Sequence, residues 1–319
     1  MNSANPILDL NHVSRFYGTV IGVGDINLQL HPGAYGLVGP NGSGKTTFIN
    51  LITGVLAPSL GSVAVYGKNP FHQREVLRQI GLCPASDILY PKTTALQWVE
   101  YLTGLHGFTQ AEARERAIQS LAQVGMEANM RRPIGSYSLG MRQRTKLAQA
   151  TAHDPDLLIL DEPFNGLDPI GRHELTAFLN EWVERGKSLI LASHILHEVE
   201  AITTSFLLIH GGRLLASGNA TEVRSMLAGF PVEVVLGGKA LQNLARGLVE
   251  EPWIRGIEIS ESGDELRVQV SDKAAFQSRL LELANQPDVH IDAVESEDGG
   301  LEAAFDLLLK VHRGDLAVQ

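Results

Sequence analysis

Residues 39–46 read Gly39-Pro40-Asn41-Gly42-Ser43-Gly44-Lys45-Thr46, a complete GxxxxGK[ST] phosphate loop. No other feature constrains the fold as tightly, because such a loop works where a buried strand turns directly into a helix. The apolar run Tyr35-Gly36-Leu37-Val38 supplies the strand, and Thr47-Phe48-Ile49-Asn50-Leu51-Ile52 begins the helix. Glycines at 39, 42 and 44 let consecutive backbone N–H groups, those of Asn41 and Ser43 among them, curl around a β-phosphate. Lys45 then neutralises the β/γ oxygens, the Thr46 hydroxyl ligates Mg²⁺, and the positive end of the helix at Thr47 faces the anion. These residues are the candidate contacts to a nucleoside triphosphate.

The rest of the chain reads as an α/β protein built around that loop. Alternating segments at 7–13 and 24–30 are two strands of an antiparallel prelude, and 61–67 adds β structure. A helical stretch at 75–79 leads into a short strand at 80–84, and helical periodicity over 94–124 marks an insert. The unbroken run Leu157-Leu158-Ile159-Leu160 is too short for a helix and reads as a central parallel strand. A helix over 171–185 and a buried strand over 188–193 follow, which implies a doubly wound sheet. Strands at 205–210 and 213–217 and a helix at 221–227 close a first domain, expected to span 1–228. Residues 229–319 read as a small α+β accessory or dimerisation domain ending in a helix over 301–311.

Composition narrows the class further. A formal charge of −10 argues against sequence-independent nucleic-acid binding, which draws its affinity from basic patches. With Cys83 as its single cysteine, the chain can form neither an internal disulfide nor a cysteine-rich metal site, and Cys83 is expected to pack near a strand end. No apolar run approaches the roughly 20 residues that span a bilayer, and Met1–Pro6 lacks the basic and apolar regions of a signal peptide. The expectation is a soluble chain, not exported, that serves any membrane process by docking on another protein.

A phosphate loop needs a second acidic site, and Asp161-Glu162 supplies one after the 157–160 strand. Asp161 is the candidate Mg²⁺ ligand and Glu162 the group that orients or deprotonates the attacking water. Taken alone, the same pair would be an N-cap and a solvated turn.

Over most of residues 7–227 these motifs resemble, in order and spacing, the ATP-binding subunit of an ABC transporter. The resemblance implies that Tyr17 stacks on adenine, that Asp168 in Gly166-Leu167-Asp168-Pro169 crosses a dimer interface, and that His194 contacts the γ-phosphate. Tyr137-Ser138-Leu139-Gly140-Met141 stands where the family has LSGGQ, so Ser138 and Gly140 would meet the ATP of the opposite subunit, while Leu139 and Met141 depart from the pattern. This form is similar to exporter ATPases of the bacitracin-resistance type. Ala85 stands at the family's Q-loop glutamine, so coupling would use other groups, and Ser86 or Asp87 could substitute by a shift of the loop.

The resemblance therefore implies an ATPase that dimerises around ATP and Mg²⁺, as a homodimer or a heterodimer. It would power a separate permease from the cytoplasmic face of the membrane, for export, with no nucleic acid involved. Ala85 and Leu139 leave room for an alternative, a nucleotide-gated module with little hydrolysis.

Overall fold

The structure, a computed structural model, describes residues 5–225, 232–284 and 290–296 together with Phe305, Leu308 and Leu309. The chain divides into two compact units, 1–219 and 220–319. The boundary read from the sequence at 228/229 and most of the 301–311 helix lie outside the described residues.

In the first unit, β1 (Leu8–Tyr17) and β2 (Val20–Leu30) form a hairpin that runs on to the pair Tyr17↔Val20. Both strands outrun the alternation seen in the sequence, because a tight turn at Gly18, with φ +60°, lets the ladder continue to its tip. Next come β3 (Ala34–Val38), helix α1 (Lys45–Ile52) and β4 (Leu60–Val65), which returns to pair with β1 in a three-stranded sheet ordered β2-β1-β4. A 3₁₀ turn over Arg74–Gln79 then delivers β5 (Ile80–Cys83).

The helical insert is α2 (Ala95–Gly104) and α3 (Gln110–Gln123), each opened by a capping box, Thr94 with Gln97 and Thr109 with Glu112. Helix α4 (Leu139–Thr151) leads to β6 (Leu157–Asp161), α5 (Pro169–Glu184), β7 (Ser188–Ser193), α6 (Leu196–Glu200), β8 (Ser205–His210) and β9 (Arg213–Asn219). The second sheet is ordered β5-β6-β7-β3-β8-β9, parallel throughout except for the β8–β9 hairpin. The side chains of Leu157 to Leu160 are fully buried, as a central parallel strand requires. Both sheets contribute to one apolar core, in which Leu8, Val23 and Val65 join Leu37, Ile159 and Ile190.

One buried group makes the stability of this unit pH-dependent. His153 Nε2 donates to the Ile80 carbonyl at 3.1 Å, and the ring stacks on His106, with ring centroids 3.7 Å apart. Burial pushes its pKa down to about 4, with the His106 and Arg116 charges acting in the same direction and the Ile80 carbonyl and Asp154 opposing. The folded-state pKa thus lies below the unfolded value, so the unfolded chain binds more protons across this window. Stability is full above the ordinary histidine pKa and is lost as pH falls toward 4, by on the order of 3 kcal/mol from this group. Urea unfolding followed against pH should show a shallower acid limb in His153→Phe, which keeps a ring on His106 and removes the titration.

The second unit begins with α7 (Ala220–Ser225) and continues as β10 (Val232–Lys239), α8 (Leu241–Leu248), β11 (Ile254–Ile259), β12 (Glu265–Val270), α9 (Lys273–Ala284) and β13 (His290–Ser296). Its antiparallel sheet is ordered β11-β12-β10-β13, the βαββαβ arrangement of ferredoxin-like folds. Val234, Leu236, Leu266 and Val268 from the sheet are buried with Leu244 and Leu248 of α8 and Phe276 and Leu283 of α9.

Candidate nucleotide site

Strand register decides which residues meet. In the parallel sheet Val38 of β3 lies beside Ser193 of β7, and Asp161 of β6 beside Ala192. The carboxyl ends of three adjacent strands therefore finish in one row, the place where open α/β sheets bind ligands. The phosphate loop leaves β3, Glu162 follows β6 and His194 follows β7, so residues far apart in sequence converge within hydrogen-bond reach.

The loop itself is closely fitted. A Cβ added at Gly39 would lie 2.2 Å from the Ile209 carbonyl oxygen and 2.6 Å from Ser43 Oγ, and one at Gly44, where φ is +109°, would lie 2.6 Å from the Gly22 oxygen. Only glycine serves at these two positions. Gly42 also has positive φ, while Asn41 is exposed and Ser43 buried. Lys45, 6% exposed, donates to the Gly39 carbonyl at 2.7 Å and lies 3.4 Å from Glu162 Oε1.

Thr46 Oγ1 donates to Asp161 Oδ2 at 3.0 Å. Burial raises the Asp161 pKa, as does the neighbouring Glu162 charge, while the Thr46 hydroxyl and the charges of Lys45 and Lys146 pull it down. A carboxylate whose charged form is disfavoured by burial, facing a hydroxyl, is a donor set that a hard divalent cation fits. Two buried polar atoms here have no hydrogen-bond partner among the described residues, Ser43 Oγ, whose hydroxyl suits a phosphate oxygen, and Glu162 Oε1, which faces Lys45 only as an ion pair and suits the O–H of an attacking water.

Glu162 sits in the left-handed region with φ +52°, a conformation that is costly for a residue with a side chain. Its N–H is tied to the Ala192 carbonyl at 2.9 Å, and its Oε2 lies 2.8 Å from His194 Nδ1. The turn carrying His194 is held from behind: Ser193 Oγ donates to Glu198 Oε2 at 2.8 Å, and Glu198 also pairs with Arg172. Sequence reading missed this Ser193–Glu198–Arg172 chain, in which Ser193 and Glu198 are buried, since a glutamate in a short helix is ordinarily solvated.

Tyr17 is exposed beside this cluster, its hydroxyl 3.5 Å from Thr47 Oγ1 and its ring against Gly22, where a Cβ would come within 2.6 Å of Cε2. Ser138, Gly140 and Asp168 form a second group. Ser138 caps α4 by accepting from Met141 N at 3.3 Å, and Asp168 caps α5 by accepting from Gly171 N at 2.7 Å. The two caps adjoin, because a Cβ at Gly140 would lie 3.5 Å from the Gly166 oxygen. Leu139 covers Gly166, whose positive φ and lack of a side chain permit the contact. Neither cap hydrogen-bonds to the residues around Lys45. The Asp87 carboxylate is engaged by Arg142, 2.5 Å away.

Residues 23–165 match the profile of the ABC transporter family. The chain is 32% identical over 255 residues to the Nod factor export ATP-binding protein I of Cupriavidus metallidurans, covering 78% of this chain and 84% of that protein. It is 30% identical over 284 residues to the bacitracin transport ATP-binding protein BcrA of Enterococcus faecalis, covering 86% and 91%. A solved ATP-binding subunit of an ABC transporter superposes with a TM-score of 0.64 at 29% identity, over 69% of this chain and 93% of that one. With the phosphate loop, the acidic strand end and the histidine turn assembled in one row, the chain belongs to the ATP-binding proteins of the ABC transporter family.

Proposed function

We propose that two subunits close around ATP, hydrolyse it and so drive a separate membrane permease, in the direction of export. The observation that carries this reading is the contact row in which Lys45, Glu162 and His194 meet beside Thr46 and Asp161. Thr46 and Asp161 would hold Mg²⁺, which when bound neutralises phosphate oxygens. His194 and the Ala192 carbonyl hold Glu162 so that Oε1, which faces Lys45 as an ion pair but has no hydrogen-bond partner, is the atom left to take a proton. Water attacks the γ-phosphorus, its proton passes to Glu162, and the bond to the β–γ bridging oxygen breaks to give ADP and phosphate. Lys45 stabilises the charge that develops on the transferred group.

A partner subunit would supply Ser138, Gly140 and Asp168, which stand apart from this row and are exposed or half-buried. Tyr17 would provide the adenine platform. Among the described residues no helix is long and apolar enough to cross a membrane, which fits a subunit held at the cytoplasmic face by its permease. Export is favoured by the relatives, two of which are named for Nod factor export and bacitracin transport.

The test is steady-state Mg-ATP hydrolysis across a range of protein concentrations. Specific activity should rise with concentration as the shared sites assemble. A constant specific activity would refute shared sites, and turnover no higher than that of Glu162→Gln would favour the gated module.

A further inference from the structure

Ala85 gives the loop after β5 no polar side chain at that position, yet the loop is firmly held. The carbonyl oxygens of Pro84, Ala85 and Ser86 lie 2.8, 3.3 and 3.4 Å from Lys146 Nζ, so the donors of one ammonium face three successive carbonyls. Lys146 belongs to α4 and is only 4% exposed. An ammonium at this depth is destabilising unless its donors are fully engaged, and these carbonyls meet that demand.

One turn earlier on the same helix, Arg142 grips Asp87 at 2.5 Å. Residues at i and i+4 share a helix face, so two cations of α4 hold the continuous segment 84–87. Helix and strand also touch at backbone level, since a Cβ at Gly81 would lie 2.1 Å from the Ala150 oxygen. The Lys146 charge reaches the Asp161 carboxylate as well, where it favours the ionised form. Lys146 is therefore in electrostatic or hydrogen-bond contact with the loop at Ala85 and with the end of β6, and it rides on the helix that Ser138 opens.

We propose that Lys146 is a positioning residue that replaces the absent glutamine side chain, locking the 84–87 segment to α4 so that any displacement of Ser138 and Gly140 moves the loop with it. Side-chain reach from position 85 to the nucleotide gives way to a rigid connection through α4. The lock itself is independent of the ATPase reading; the nucleotide response it transmits rests on that reading.

The experiment is hydrogen exchange on the full chain, comparing peptides covering 84–89, 138–145 and 157–161. Without nucleotide, Lys146→Met should raise exchange in 84–89 by roughly tenfold or more while leaving 157–161 unchanged. In a Glu162→Gln background, Mg-ATP should protect 138–145 and 84–89 together, and adding Lys146→Met should abolish the response of 84–89 while keeping that of 138–145. Unchanged ligand-free exchange in 84–89, or a response there that survives Lys146→Met, overturns the proposal, and so does loss of protection spread through 157–161.

If Lys146→Met does not fold, Arg142→Met cuts the other half of the lock from a half-exposed site. It should weaken the 84–89 response, and an unaltered response overturns the proposal. Absence of any nucleotide response in the parent protein would count against the ATPase reading alone, and the ligand-free comparison would still decide the lock.

Discussion

Glu162→Gln is expected to lower kcat by about a thousandfold while leaving ATP bound, so that saturating Mg-ATP holds the protein as a stable dimer. The amide is isosteric with the carboxylate and can still meet His194 and remain near Lys45, so the left-handed turn at 162 and its bond to Ala192 stay in place. What disappears is the oxygen able to take a proton. In the proposed mechanism binding and closure depend on the phosphate loop and on the caps at Ser138 and Asp168, and the isosteric substitution leaves all three in place. Light scattering in Mg-ATP beside a steady-state assay checks both halves, and a variant that remains monomeric at saturating nucleotide would sink the shared-site mechanism.

Lys45→Ala is expected to weaken ATP binding by roughly a hundredfold and to leave no measurable turnover. The ammonium holds the loop in shape through the Gly39 carbonyl and is also the cation nearest Glu162 Oε1. Its removal takes away the charge that, in the proposed mechanism, meets the phosphates, and leaves the half-buried Glu162 with His194 beside it. Equilibrium binding of a fluorescent ATP analogue, with circular dichroism to confirm folding, separates lost affinity from lost structure. Near-normal affinity would remove Lys45 from the binding role assigned to it. Glu162→Gln and Lys45→Ala thus fail at different stages, one after binding and one at binding.

Much of this was legible in the chain itself, for local reasons. The phosphate loop announces itself because three glycines, a lysine and a threonine at fixed spacing suit one backbone path, and Gly39 and Gly44 do sit where any side chain would collide. The run 157–160 reads as a central strand because every side chain is apolar, and all are buried. Helical periodicity over 94–124 marked the insert, and α2 and α3 both fall within it.

The hairpin length was underestimated, because β1 and β2 extend through the exposed and half-exposed residues 16–21, where no apolar alternation marks the strand. Leu139 and Ala85 read as defects in isolation. Leu139 proves to pack on Gly166, and Ala85 to lie on a carbonyl ladder facing Lys146.

Sequence alone determined which groups are the candidates for the nucleotide site, since a loop with this composition and an Asp-Glu pair after an apolar strand each carry their chemistry in contiguous residues. Only the tertiary structure decided how they act together. The strand order β6-β7-β3 and the pairings Val38↔Ser193 and Asp161↔Ala192 put Lys45, Glu162 and His194 in one row. Likewise the buried partners Lys146 and Glu198 take their meaning from carbonyls and side chains that other segments bring to them. Local motifs are written in neighbouring residues, whereas a parallel sheet joins segments through long crossovers, and its register is settled by packing across the whole core.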